Sequence, residues 1–199
     1  MSIPIALIIF RLMLVPIILA FAYFIGKDSK LTILILMYLG LLSDILDGII
    51  ARKQNISSEK LRRMDSQTDM VFWLSMGFAT WLLYPELIYD NGFAILVIIS
   101  MEIMCYTISF IKFKKETCTH AFLSKLWAIS LLVAFTSLIG FSHAGIPFAI
   151  AVILGFISYI DVVLIILILP KWTHDIPSAY HAYLVRKGIK FKRNEYLNG

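Results

Sequence analysis

The chain has 199 residues, 60% of them hydrophobic, with a mean hydropathy of +0.85. Soluble domains are about 45–50% apolar, so this excess excludes a single globule in water and makes a bilayer the solvent. The net charge of +5 has meaning only through its distribution, and no nucleic-acid partner is expected.

The first apolar stretch, IPIALIIFRLMLVPIILAFAYFIG, is too long for a signal-peptide core and lacks a positive leading segment. It reads as a first membrane span. Six apolar segments follow one another at about 3–26, 31–52, 65–87, 92–112, 124–143 and 146–170, each near the length a bilayer crossing needs. They are too long and continuous for barrel strands. Helices satisfy their own backbone groups in lipid, so the expected fold is all-α, a six-transmembrane-helix bundle over residues 1–170 with a basic tail over 171–199. Cys105 and Cys118 are the only cysteines. Cys105 falls mid-span, so no disulfide is expected.

The connections divide by charge. Residues 52–63 carry Arg52, Lys53, Lys60, Arg62 and Arg63, and residues 112–125 carry Lys112, Lys114, Lys115 and Lys125. The tail adds Lys171, Arg186, Lys187, Lys190, Lys192 and Arg193. The alternate connections, near Pro85–Asn91 and His143–Pro147, have no Lys or Arg; Lys27 and Lys30 are a mild exception. Positive loops stay cytoplasmic, which places both termini of a multi-pass protein inside. The basic tail reads either as a solvated end or as a segment drawn to anionic headgroups.

Within SDILDGIIARKQNISSEKLRRMDSQTD, four aspartates flank the second connection. At about 100° per residue, Asp44, Asp47, Gly48, Ala51 and Arg52 share one face of the second helix. Asp65 and Asp69, four apart, share a face of the third. Antiparallel packing would bring the two acidic faces together near the cytoplasmic surface. Four carboxylates at close range repel unless they share protons or bind cations. Hard oxygen donors suit Mg²⁺, Mn²⁺ or Ca²⁺, and no Cys/His spacing points to zinc. Gly48 lets a ligand approach the backbone, Ala51 keeps the next turn low, and Arg52 suits a phosphate. Together they look like a diphosphate site. The alternative is pairing of these acids with Arg52, Arg62 and Arg63 at the membrane interface.

The stretch Asp44-Ile-Leu-Asp47-Gly48-Ile-Ile-Ala51-Arg52, eight residues, Leu61, three residues, Asp65, three residues, Asp69 resembles the CDP-alcohol phosphotransferase (CDP-alcohol phosphatidyltransferase) pattern D-x2-D-G-x2-A-R-x8-G-x3-D-x3-D. Leu61 stands where the second glycine would be. The opening IPIALIIFRLMLVP is similar to the family's P-N-x-L-T-x-x-R, keeping Pro4, Leu7 and Arg11 but with Ile5 and Ile8 at the Asn and Thr positions. The resemblance implies that an alcohol hydroxyl attacks the β-phosphorus of a CDP-linked donor, with CMP leaving. CDP-diacylglycerol is the expected donor and a small alcohol the acceptor. It implies two divalent cations, Mg²⁺ or Mn²⁺, on Asp44, Asp47, Asp65 and Asp69. Asp69 would be the general base, with Gly48, Ala51 and Arg52 at the CDP moiety. A homodimer in a bacterial inner membrane, serving phospholipid biosynthesis, is the expected setting. Chain length and N-terminal start resemble phosphatidylglycerophosphate synthases. DSQTD lacks the proline that often follows the third aspartate there, so no acceptor is assigned.

Arg11 either snorkels to the cytoplasmic face or points into the site towards phosphate. Lys125, in LSKLW, is a candidate phosphate or acceptor contact or an ordinary positive-inside anchor. Glu102 lies mid-span, where an ionisable group suggests function or a partner arginine. Asp161 reads as an interhelical contact. The tryptophans suit interface belts, and His120, His143, His174 and His181 show no ligand spacing. Two other functions compete. One is a divalent-cation transporter, which would place acids near the midplane on discontinuous helices rather than at one edge. The other is a family-derived protein without catalysis.

Overall fold

The computed structural model describes residues 2–54, 56, 58–117, 119 and 121–189. Cys118, His120 and the tail charges Lys190, Lys192, Arg193 and Glu195 lie outside the described residues. Among the described residues there is helix and no strand. The helices are α1 (Ile3–Ala20), α2 (Lys30–Lys53), α3 (Glu59–Leu83), α4 (Pro85–Asp90), α5 (Gly92–Phe113), α6 (Phe122–Phe135), α7 (Gly145–Ile168) and α8 (Ala179–Arg186). π-helical turns, Phe21–Ile25 and Thr136–Gly140, extend α1 and α6.

Among the described residues, four helical stretches are long and apolar enough to cross a membrane: Ile3–Lys53, Gly92–Phe113, Phe122–Gly140 and Gly145–Ile168. The first is far longer than the roughly 20 residues of one crossing. It folds back at Gly26, whose φ of 69° suits a residue without a Cβ. Ser29 ties the reversal by donating to the carbonyls of Phe21 and Gly26, at 3.1 and 2.6 Å. α1 and α2 then pack on each other. α3 is not among the four, because Glu59, Lys60, Arg62, Arg63, Asp65 and Asp69 crowd its first half.

The third segment differs from its expected bounds of 65–87. The helix starts earlier because Ser58 caps it, its hydroxyl accepting the Leu61 N–H at 3.2 Å. It stops earlier because Pro85 follows. A proline disfavours the helical region for the residue before it, and Tyr84 sits at φ −142°, ψ 67°. Pro85 then opens α4, at the first-turn position where its missing N–H costs nothing.

The chain divides into two compact units, residues 1–91 with 132–148, and residues 92–131 with 149–199. In the first, α1 lies against both α2 and α3. Gly40 of α2 faces Phe72 of α3 so closely that a Cβ on Gly40 would overlap the ring. Trp73 stacks on Phe135 with centroids 5.9 Å apart, and Tyr38 bonds Thr136 at 3.1 Å. Lys27, the exceptional lysine, lies over the Tyr84 ring and 4.0 Å from Glu86. In the second unit, Cys105, Tyr159, Val162, Ile165, Ile166, Leu169, Ile176 and Ala182 share one core. Residues 171–189 therefore do not simply extend into solvent: Ile176 and Ala182 are fully buried. The Ile176 N–H donates to Thr119 at 2.8 Å.

Gly40→Ala should lower the melting temperature in detergent, because the buried Phe72 ring must move. Overpacking of this kind costs about 1–3 kcal/mol, against about 1 kcal/mol of helix propensity gained over glycine. Gly77→Ala on α3, with nothing within 4 Å of the new methyl, should be neutral or stabilising. Equal melting temperatures for the two variants would mean that the α2–α3 approach at Gly40 is not tight.

Candidate functional site

The acidic faces of α2 and α3 meet, and Arg11 of α1 enters between them. One terminal nitrogen of the guanidinium pairs with Asp44 at 2.9 Å and with Asp69. The other pairs with Asp47 and, at 3.2 Å, with Asp65. Each nitrogen thus joins one carboxylate of α2 to one of α3. The Arg11 side chain is 1% exposed. It points inward and does not snorkel.

The pairing follows an antiparallel register. Gly40 faces Phe72, Asp44 faces Asp69, Asp47 faces Asp65, and Ala51 packs with Leu61. The acids therefore lie between two packing layers. One layer is the Gly40–Phe72 approach. The other is a cluster of Ile8, Ala51 and Leu61 with Ile5 against it. Each member of the triad is one turn from a charged residue on its own helix: Ile8 from Arg11, Ala51 from Asp47, Leu61 from Asp65. Leu61 is buried and fills this layer. The three departures from the resembled pattern, Ile5, Ile8 and Leu61, thus meet in one apolar contact.

Burial grades across the cluster. The Asp47 and Asp65 side chains are 4% and 8% exposed, whereas Asp44 and Asp69 are 30% and 32% exposed. The cluster has a closed inner pair and an open outer pair, Asp44 and Asp69. Gly48 and Arg52 are half-buried on the same face of α2. The Arg52 guanidinium lies over Gly48, where a Cβ would come within 3.3 Å of it. The bare backbone expected to admit a ligand is where this arginine rests.

The residues present fit a divalent cation. Oxygens of Asp44, Asp47 and Asp65 lie within 4.8 Å of one another, and all are hard donors. The cluster already draws in the Arg11 guanidinium, whose one charge does not by itself balance four carboxylates. Arg62, which the sequence offers as a loop charge or as a partner of these acids, is buried near the start of α3, and its charge acts on Asp47. The sequence signal was its position three residues before Asp65. Lys125 lies on α6 in the second unit. There too, Glu102 stands beside Tyr159. Asp161 accepts the Ala179 N–H at 3.0 Å and so caps α8.

The family model for CDP-alcohol phosphatidyltransferase matches residues 1–169. No curated protein and no solved structure matches the chain.

Leu61→Gly, which restores the resembled glycine, should be destabilising here. It removes a buried leucine from between three helices; leucine-to-alanine changes of that kind cost about 2–5 kcal/mol, and glycine adds about 1 kcal/mol of lost helix propensity. Thermal unfolding in detergent tests this. An unchanged melting temperature would show that the Ile8–Ala51–Leu61 layer carries no packing energy.

Proposed function

The chain belongs to the CDP-alcohol phosphatidyltransferase family, and from that premise we propose that it transfers a phosphatidyl or related phospho-alcohol group from a CDP-linked donor to an alcohol, releasing CMP. The observation that supports this reading most is the convergence of four aspartates from two helices, open on the side of Asp44 and Asp69. The donor in this reading is CDP-diacylglycerol and the pathway class phospholipid synthesis. The protein is an integral membrane protein with apolar helices. Six spans, both termini cytoplasmic, a bacterial inner membrane and a homodimer complete the proposal, with residues 1–170 as its catalytic domain.

Two divalent cations held by Asp44, Asp47, Asp65 and Asp69 would supply neutralisation of the diphosphate and polarisation of the attacked phosphorus. Arg52 sits at the open face beside Gly48 and can turn its guanidinium to a phosphate oxygen, matching a fork of donors to its geometry. Asp69 faces the open edge and accepts the proton of the alcohol hydroxyl. The alcohol oxygen bonds to the β-phosphorus as the bond to the CMP oxygen breaks. The closed pair, Asp47 and Asp65, keeps the site charged and fixed while the open pair meets substrate. The position of the acids at the ends of α2 and α3 disfavours cation transport, which needs donors near the bilayer centre.

Transferase activity, read as CMP release in detergent, should vanish with EDTA and return with Mg²⁺ or Mn²⁺. Full activity in a metal-free preparation would rule out the metal-dependent reading. Asp69→Asn should lower turnover by at least about 10²-fold, the lower end for general acid–base catalysis, while the helices stay folded. If Asp69 serves only as a charge partner for Arg11, the variant should lose melting temperature and keep its turnover per folded molecule.

A further inference from the structure

Arg11 stands in the middle of the carboxylates, not at their margin. Its two terminal nitrogens take two positions, each between one aspartate of α2 and one of α3. These are the same oxygens that would hold divalent cations. A guanidinium and a metal ion therefore compete for one set of donors. The seat also fits the arginine incompletely: its Nε is buried with no hydrogen-bond partner among the described residues. A buried donor left unpaired carries a desolvation penalty, so this pose is one the side chain can leave.

We propose that Arg11 is an internal counter-cation of the aspartate ring: it holds Asp44, Asp47, Asp65 and Asp69 together before metal binds and gives up its seat as divalent cations enter. The proposal rests on the metal-site reading of these aspartates and adds to it a built-in competitor. Without any cation, four carboxylates would push α2 and α3 apart. With Arg11 in place they stay convergent, and α1 is tied to both helices. Arg11 thus positions the ligands in the metal-free protein and weakens apparent metal affinity by the fraction of time it occupies the ring. Once displaced, its charge remains at the site.

Mn²⁺ titration of EDTA-stripped protein in detergent, with free Mn²⁺ followed by electron paramagnetic resonance, reads this competition directly. Arg11→Gln should bind Mn²⁺ at least about tenfold more tightly than the natural chain, the shift expected if Arg11 holds the ring about nine-tenths of the time. The same variant should melt lower than the natural chain in EDTA and recover with Mn²⁺. A merely structural arginine would lower stability with and without Mn²⁺ and would not tighten binding. Equal or weaker Mn²⁺ affinity in Arg11→Gln overturns the proposal. Should that variant fail to accumulate folded, Arg11→Lys gives the same readout. Its single ammonium nitrogen bridges the two pairs less well than the guanidinium fork, so Mn²⁺ should again bind more tightly, and unchanged affinity overturns the proposal. Asp65→Asn separates the two layers of inference. If the natural chain binds Mn²⁺ and Asp65→Asn weakens it, the metal site stands and only the arginine competition is under test. If Mn²⁺ binding is absent or indifferent to Asp65→Asn, the metal reading falls and the competition falls with it.

Discussion

A guanidinium ringed by buried carboxylates cannot leave its partners cheaply unless another cation takes its place. Removing one member of a buried ion pair costs about 3–5 kcal/mol, because the other is left uncompensated. Arg11, Asp47 and Asp65 are all buried, so α1, α2 and α3 are held to one register. The apolar layers on either side serve that register. Gly40 lets Phe72 close the approach on one side, and Ala51 admits Leu61 and Ile8 on the other. Small residues on α2 face large ones on α3 in both layers. The acids between them are thus fixed along the helix axes as well as across them.

The second unit handles its polar groups differently, through helix ends. The last carbonyls of a helix lack partners within it. Lys112 of α5 donates to two of them on α7, those of Ile166 and Leu167, at 2.8 and 2.7 Å. Asp161 of α7 does the reverse for α8, accepting its first free N–H. Ionisable residues inside apolar helices invite a catalytic reading. Here two of them close backbone hydrogen bonds, one on a neighbouring helix and one on the docked C-terminal segment. Trp172 joins that segment to the chain before α6 by donating to the Glu116 carbonyl at 2.8 Å.

The acidic cluster is legible in the sequence because its geometry is local. Spacings of three and four residues place Asp44 with Asp47, and Asp65 with Asp69, on their faces without knowledge of the fold. Helix existence is equally legible, since apolar runs of this length admit few alternatives. What stays hidden depends on distant pairing. Arg11 lies 33 or more residues from each acid that surrounds it, and only packing decides whether such a side chain turns to water or inward. The role of Leu61 is hidden for the same reason, because its partners come from α1 and α2. The bounds of α3 are hidden too, because hydropathy tracks lipid contact. A serine cap and a proline, not hydropathy, set where that helix begins and ends.

The Ile5–Ile8–Ala51–Leu61 contact ties together positions that a linear motif treats as independent. A glycine at 61 beside isoleucines at 5 and 8 would leave a void the size of a leucine side chain. A leucine at 61 beside polar residues at 5 and 8 would press a hydroxyl or an amide against hydrocarbon with no partner. Neither intermediate is comfortable, so substitutions at these places are expected to arrive together during descent. The three departures then act as one exchange of chemistry spread over several sites, and reversing any one of them alone carries its own packing or desolvation cost.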